Sequence, residues 1–368
     1  MGPAGDELPP IQEVPSAHLE GRDLGNGWVA GPRITKDPGA TGGCFSVSYS
    51  VTNADGRKAF MKALNFQAAA VGPRSFLDQL HDFTSAFVFE RDLLADCGNR
   101  KMSRVIRMID DGQVQVPEAG IWSEVPFLIF ELAEGDIRAF QARLEDFDCA
   151  WAFRVMKHAL EGVSQLHSAH AAHQDLKPSN VLTQDNGAEM KLGDLGNAER
   201  RGVAGPCSNW AIPGAVAYAP PEQHYGAFTG SWEERKAADL YLAGSLGVQL
   251  FVGNCISVLV QSRLPARFLA RNWRGPFEEV LPCLRSAHNA VILAVKEVVL
   301  EHTKDETSAH QYSNALAEMT DPDPKRRGHP RDRAGIGSDY AVHRYVSLMD
   351  LLASRAHVHM LMEAARGQ

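Results

Sequence analysis

Closely spaced cysteines are missing from this chain. Cys44, Cys97, Cys149, Cys207, Cys255 and Cys283 are scattered over 368 residues with no CxxC pair. A chain of this length can bury a sufficient core without cross-links, so the thiols are read as reduced and the compartment as cytoplasmic. Clustered basic charge is scarce too. The net charge is −8 and Lys325-Arg326-Arg327 is the only compact basic run, which argues against a nucleic-acid-binding surface. The N-terminus has no basic segment followed by an apolar core, so no secretory signal is expected. Only residues 240–260 are uncharged over a length that could span a bilayer. That run holds three glycines, two serines, a glutamine and an asparagine, and no basic flank follows directly. A buried core helix plus a loop is the expectation, and no membrane contact.

What is present is a sequence of ordinary globular composition, 44% hydrophobic and 22% charged. Residues 1–26, rich in proline, glycine and acids without periodicity, are expected to form a loosely ordered leader. Residues 28–66 read as strands: "CFSVSYSV" alternates with the period of a half-buried strand, "NADGRK" is a turn, and "AFMKALNF" returns. Residues 73–96 have helical spacing, "VIRMID" and "PFLIFEL" are further strands, and from about 136 the pattern is mostly helical. Phe153, Met156, Leu160, Val163 and Leu166 form one stripe. The expected fold is α+β and two-lobed. A small antiparallel sheet with one main helix (27–132) precedes a larger, mostly helical lobe (133–335) that is enlarged by helices at about 262–320. A C-terminal helix (336–368), with Tyr345, Leu348, Leu351 and Leu352 on one side, packs on the large lobe.

The chemistry begins at "HQDLKPSN". Asn180 lies five positions after Asp175, and Asp194 follows in "LGDLG". Two carboxylates and an amide oxygen brought together by a strand–turn–strand connection make a hard-oxygen site suited to Mg²⁺ with substrate phosphates. Lys62, on the returning strand, adds a point cation for phosphate. Glu90, mid-helix among apolar neighbours, needs a cationic partner if buried, and Lys62 is the natural candidate. The fourteen histidines mostly lack ligand spacing, and His167, His170 and His173 are read as structural.

Taken in order, these segments resemble the eukaryotic-type (Hanks-type) serine/threonine protein kinases from about residue 28 to about 335. "AFMK" resembles the strand-lysine motif and "FERDLL" the helix that carries its partner. "HQDLKPSN" resembles the catalytic loop, "DLG" stands where that family usually has DFG, and "AYAPPE" resembles the end of an activation segment. The resemblance implies an ATP- and Mg²⁺-dependent transferase acting on a protein substrate. Lys62 and Glu90 would form the phosphate-binding pair. Asp175 would orient the substrate hydroxyl or accept its proton, and Lys177 would neutralise the γ-phosphate. Asn180 and Asp194 would bind metal. The hinge, Glu131 to Ala133 after the gatekeeper Phe130, would contact adenine through its backbone. Glu222 would pair with Arg327, and Asp239 would begin the buried central helix. The enlarged helices suggest a docking surface for a partner.

Four departures from the pattern stand out. The glycine-rich loop is irregular: Phe45 as the tip aromatic makes Gly43 the middle glycine and Ser46 the last. Val47 as the adenine-facing valine favours Gly42 instead. Gly42 and Gly43 are therefore taken jointly, with Val47 beside them. Phe60 replaces a small residue over the adenine. Ala215 replaces a threonine that bridges aspartate and lysine, which loosens the support of Asp175 and Lys177. Gln174 replaces the arginine that binds an activation-segment phosphate in many relatives, and a neutral amide cannot form that charge-assisted pair. Activity independent of activation-segment phosphorylation is the expectation. A pseudokinase scaffold and a small-molecule kinase on a related fold are the competing readings. Retention of Lys62, Glu90, Asp175, Asn180 and Asp194 disfavours the first, and the intact end of the activation segment disfavours the second.

Overall fold

In the computed structural model, which describes residues 14–35, 46–65, 75–117, 124–335 and 340–366, the alternating segments near the N-terminus pair into one antiparallel sheet. The chain divides into two units, Met1–Lys101 with Ile106–Ala133 and Met102–Val105 with Glu134–Gln368. In the first, β1 (Asp23–Gly25), β2 (Trp28–Ile34), β3 (Ser46–Asn53), β4 (Lys58–Leu64), β5 (Met108–Gln115) and β6 (Glu124–Glu131) lie in the order β1-β2-β3-β4-β6-β5. The two-residue period sends Tyr49, Val51, Ala59, Met61, Ala63 and Ile129 to one face, where all are fully buried. Between β4 and β5 runs α1 (Phe76–Asn99), whose N-cap Ser75 accepts a hydrogen bond from the Asp78 N–H.

Two expectations are corrected here. Residues 14–25 are packed rather than loose. Val14, Leu19 and Leu24 enter the core of the sheet, β1 pairs with β2, and the Tyr49 hydroxyl donates to the Ser16 carbonyl at 2.7 Å. Three apolar side chains with partners on the sheet outweigh the local turn-forming composition, while residues 1–13 lie outside the described residues. The strand expected at "VIRMID" begins only at Met108 and continues through polar residues to Gln115. As the outermost strand it pairs on one side only, so it tolerates Asp110 and Asp111.

The second unit is built around α3 (Cys149–Ser168), capped by Asp148, with Phe153, Met156, Leu160, Val163 and Leu166 all fully buried. Before it come β7 (Gly135–Asp136) and α2 (Ile137–Gln141). After it come β8 (Ala171–Ala172), β9 (Val181–Gln184), β10 (Glu189–Leu192) and β11 (Glu199–Arg200), in the small sheets β10-β9-β7 and β11-β8. Then follow α4 (Pro221–His224), α5 (Trp232–Val252), α6 (Ile256–Arg263), α7 (Phe277–Thr303), α8 (Glu306–Met319), α9 (Pro330–Arg333) and α10 (His343–Arg366).

A capping box between Ser231 and Glu234 starts α5, and Gly253, at φ 75°, stops it in the left-handed conformation that glycine adopts without strain. The uncharged run is thus divided between α5 and α6. Among the described residues no single helix is long and apolar enough to cross a membrane, and α5 with α6 passes that test only as a pair bent by 80°. Leu240, Leu246 and Val248 are instead buried within the unit. Glu222 at the start of α4 receives a fully buried Arg327 in a two-pronged ion pair at 2.8 and 2.9 Å. On α10 the buried side is Tyr345, Met349 and Leu352; Leu351 is exposed, a correction that follows from the i, i+4, i+7 spacing of the side packed on α3.

Candidate active site

In the first unit, β4 and α1 bring Lys62 and Glu90 together. The ammonium stands 3.1 Å from both carboxylate oxygens. Glu90 is buried, and a carboxylate taken out of water is tolerated only with such a counter-charge. Phe60 and Lys62 alternate with the core residues Ala59, Met61 and Ala63, so they share the opposite face of β4. Phe60 pairs with Phe130 across β4 and β6, their rings 6.2 Å apart.

The strand register corrects one assignment. Ser48, not Val47, lies opposite Lys62, while Val47 lies opposite Ala63 and is buried in the core on the other face. Val47 therefore cannot face adenine on the lysine side, because a one-residue shift along a strand reverses the face. Ser48 takes that position, which agrees with Ser46 as the last small residue of the loop. Gly42 and Gly43 lie outside the described residues. Glu131 closes β6 with its N–H on the Arg107 carbonyl and its side chain on the Arg107 N–H, and Ala133 is the last residue of the unit.

In the second unit, the catalytic-loop segment hangs from one buried carboxylate. Asp239 on α5 accepts from the backbone N–H groups of His173 and Gln174 (each 2.8 Å), the Gln174 side-chain amide (2.9 Å) and His167 Nε2 (2.8 Å). Burial alone would raise its carboxyl. The hydrogen bond and charge of His167 and the Gln174 N–H outweigh that effect and hold it below the usual carboxylate range. Gln174 sits at φ 62°, a left-handed conformation that strains a side-chain-bearing residue. Its amide, also donating to the Arg235 carbonyl at 2.9 Å, pins that strained turn. His173 accepts from the Asp175 N–H on Nδ1 and points Nε2 at the Gly193 carbonyl, which together require the Nε2-protonated tautomer.

This turn presents Asp175. Its Oδ1 accepts from the Ala215 N–H at 2.8 Å, and its Oδ2 from Lys177 Nζ at 2.7 Å and from Asn180 and Asn197 side-chain amides at 3.2 Å each. The hydroxyl missing at Ala215 is thus answered by that residue's own backbone and by Asn197. Asn180 also donates to the Asp175 carbonyl, and its own carbonyl accepts from the Gly193 N–H, which ties it to the residue before Asp194. Asp194, at φ 58°, is held in the same left-handed region. An amide oxygen and a carboxylate on adjoining turns are hard donors and too few to enclose an ion. Among the described residues no three His, Cys, Asp or Glu gather as a metal cluster. That donor set fits Mg²⁺, which keeps water and phosphate oxygens in its shell.

Beyond Asp194 the segment is held by an internal acid. Glu199 accepts from the Ser208 hydroxyl at 2.7 Å and lies 3.7 Å from Arg235, an ion pair too long for a hydrogen bond. Burial raises the Glu199 carboxyl despite Ser208 and Arg235. Arg235 binds the Ser208 carbonyl in turn. The linear motifs missed Asn197, Glu199 and Arg235 and the four-donor role of Asp239. The one usable signal was Ala215 itself, whose missing hydroxyl calls for another donor near Asp175.

Residues 42–263 match the family model described as the protein kinase domain. The chain is 31% identical over 151 residues to the serine/threonine-protein kinase PknL of Mycobacterium tuberculosis, covering 41% of this chain and 36% of that protein. It is 26% identical over 215 residues to the probable serine/threonine-protein kinase pknA2 of Bifidobacterium longum (58% and 25%). It is 30% identical over 132 residues to the serine/threonine-protein kinase PknA of Corynebacterium glutamicum (34% and 26%). The match thus spans about a third or less of these relatives' own length.

Proposed function

Because the chain belongs to the protein kinase family, we propose that it transfers the γ-phosphate of ATP to serine or threonine hydroxyls of a protein, without needing phosphorylation of its activation segment. The observation that carries this reading is the Asp175 carboxylate, oriented by Lys177 and the Ala215 N–H. Asp175 accepts the proton of the substrate hydroxyl as that oxygen attacks phosphorus and the bond to the β-phosphate oxygen breaks. Lys177 lends positive charge that neutralises the transferring phosphoryl group. Lys62, steadied by Glu90, holds the phosphates of the nucleotide, and Asn180 and Asp194 hold Mg²⁺. When bound, the ion supplies charge neutralisation on the phosphates. The free thiols of Cys149, Cys207, Cys255 and Cys283 support a reducing, cytoplasmic setting.

Independence from phosphorylation is supported by Gln174, whose amide is spent on Asp239 and the Arg235 carbonyl, and by Glu199, which puts a carboxylate beside Arg235. Purified protein with labelled ATP, Mg²⁺ and a generic protein acceptor is expected to transfer label, and Asp175→Asn to lose it. Equal labelling by both forms, or none by either, overturns the reading. Ser208→Ala is expected to keep at least half of the activity. Loss of activity restored by an acidic residue at 208 refutes the independence.

A further inference from the structure

The four donors to Asp175 are unequally shared. Among the described residues, Oδ2 receives Lys177, Asn180 and Asn197, whereas Oδ1 receives only the Ala215 N–H. A carboxylate oxygen offers about two lone-pair sites. Oδ2 is therefore filled, and Oδ1 keeps an acceptor site for a hydroxyl. The segment bearing Ala215 already approaches as closely as backbone can: a β-carbon on Gly214 would stand 2.9 Å from Oδ1 and 2.3 Å from the Gln174 carbonyl.

Lys177 and Asn180 share the loop of Asp175. Asn197 comes from elsewhere, the short turn that follows Asp194, 22 residues further along. Its amide is oriented by Cys207, whose Sγ lies 3.5 Å from Asn197 Oδ1 as a donor. Burial, with the nearby Glu199 and Asp175 carboxylates, pushes the Cys207 thiol up to about 11, so at neutral pH it keeps its proton to give. With Oδ1 of Asn197 accepting from sulfur, its Nδ2 is the atom left to face Asp175, and the side-chain amide has a single sense.

We propose that Asn197 is a positioning residue for phosphoryl transfer. Oriented by Cys207, it occupies Asp175 Oδ2 and leaves Oδ1 as the oxygen that takes the substrate proton. Its place just after Asp194 also links the carboxylate that meets the hydroxyl to the turn that holds the metal ligand. The proposal rests on the kinase reading above and concerns which oxygen reacts and what aims it.

Steady-state kinetics separate the two. Wild-type protein that transfers no phosphate overturns both readings; active wild type with an unaffected variant overturns only this one. Asn197→Ala is expected to lower kcat roughly 10- to 100-fold, the effect of one hydrogen bond to a charged group, with KM for ATP and Tm close to wild type. Asn197→Asp, the same shape without a donor, is expected to fall at least as far. A kcat for Asn197→Ala within twofold of wild type overturns the proposal, as does an Asn197→Asp enzyme more active than Asn197→Ala, or a KM for ATP rising in step with the loss of kcat. Should Asn197→Ala fail to fold, Cys207 gives the answer. Cys207→Ser keeps a donor and is expected to retain kcat within about twofold, whereas Cys207→Ala loses about threefold or more. Equal kcat in those two variants refutes the relay.

Discussion

Lys62 and Glu90 in the first unit meet in an ion pair, with the lysine side chain 27% open to solvent. Asp175 and Asp239 in the second unit lie in a buried network in which several donors converge on each carboxylate and Gln174 and Asp194 are held at positive φ. The first arrangement sets two opposite charges against each other across a strand and a helix. The second needs a fully buried carboxylate to collect N–H groups from a loop that would otherwise relax. Charge placed near solvent keeps part of its hydration. A strained loop that must aim an oxygen has to be over-determined.

The largest expected effect tests that contrast directly. Asp239→Asn removes the charge beneath four donors and is expected to cost roughly 3–5 kcal/mol in urea denaturation, since at least two charge-assisted hydrogen bonds weaken. Lys62→Met, which deprives a buried Glu90 of a partly solvated partner, is expected to cost only about 1–2 kcal/mol while abolishing transfer. Equal losses for the two would erase the distinction between the partly solvated ion pair and the buried network. A middle-sized effect sharpens the face assignment within the first unit. Val47→Ala is expected to cost about 1–2 kcal/mol by opening a core cavity, with KM for ATP near wild type. Ser48→Ala is expected to change stability by less than about 0.5 kcal/mol and to act on nucleotide affinity instead. The reverse pattern would return Val47 to the lysine side.

The smallest effect concerns Glu199 and Asp239, two buried acids of the second unit that are shifted in opposite directions. Glu199 is raised on folding. The folded state therefore binds its proton more tightly, and stability declines as pH rises from about 4 through its raised value. Asp239 is lowered, so its contribution is present above the ordinary carboxylate value and is lost as pH falls through the folded one. Glu199→Gln should gain stability relative to wild type as pH increases through that window, and urea midpoints across pH measure it. An unchanged difference across the whole range would show that Glu199 does not titrate as buried.

Much of this was legible along the chain. The alternation at 46–53 and the stripe at 153–166 follow from periods of two and 3.6, and each places side chains with no knowledge of the partner surface. The order of "AFMK", "FERDLL", "HQDLKPSN" and "DLG" is likewise linear information. What stayed hidden depended on neighbours distant in sequence. Val47 and Ser48 differ by one position, and only pairing with β4 tells which faces Lys62. Val14, Leu19 and Leu24 looked like part of a turn-rich leader until Tyr49 and the sheet supplied their partners. Asn197 has no local signature, because its meaning arises from Asp175 on one side and Cys207 on the other.

By itself, then, the sequence determined the kinds of element, the membership of the kinase family and the candidate acid, amide and cation, because each rests on residue type and short spacing. Only the tertiary structure decided which face of β3 meets the lysine, which carboxylate anchors the strained loop at Gln174, and which of the two Asp175 oxygens stays open. Those choices are made by hydrogen bonds and burial between segments tens of residues apart, and no local pattern encodes the geometry of such an encounter.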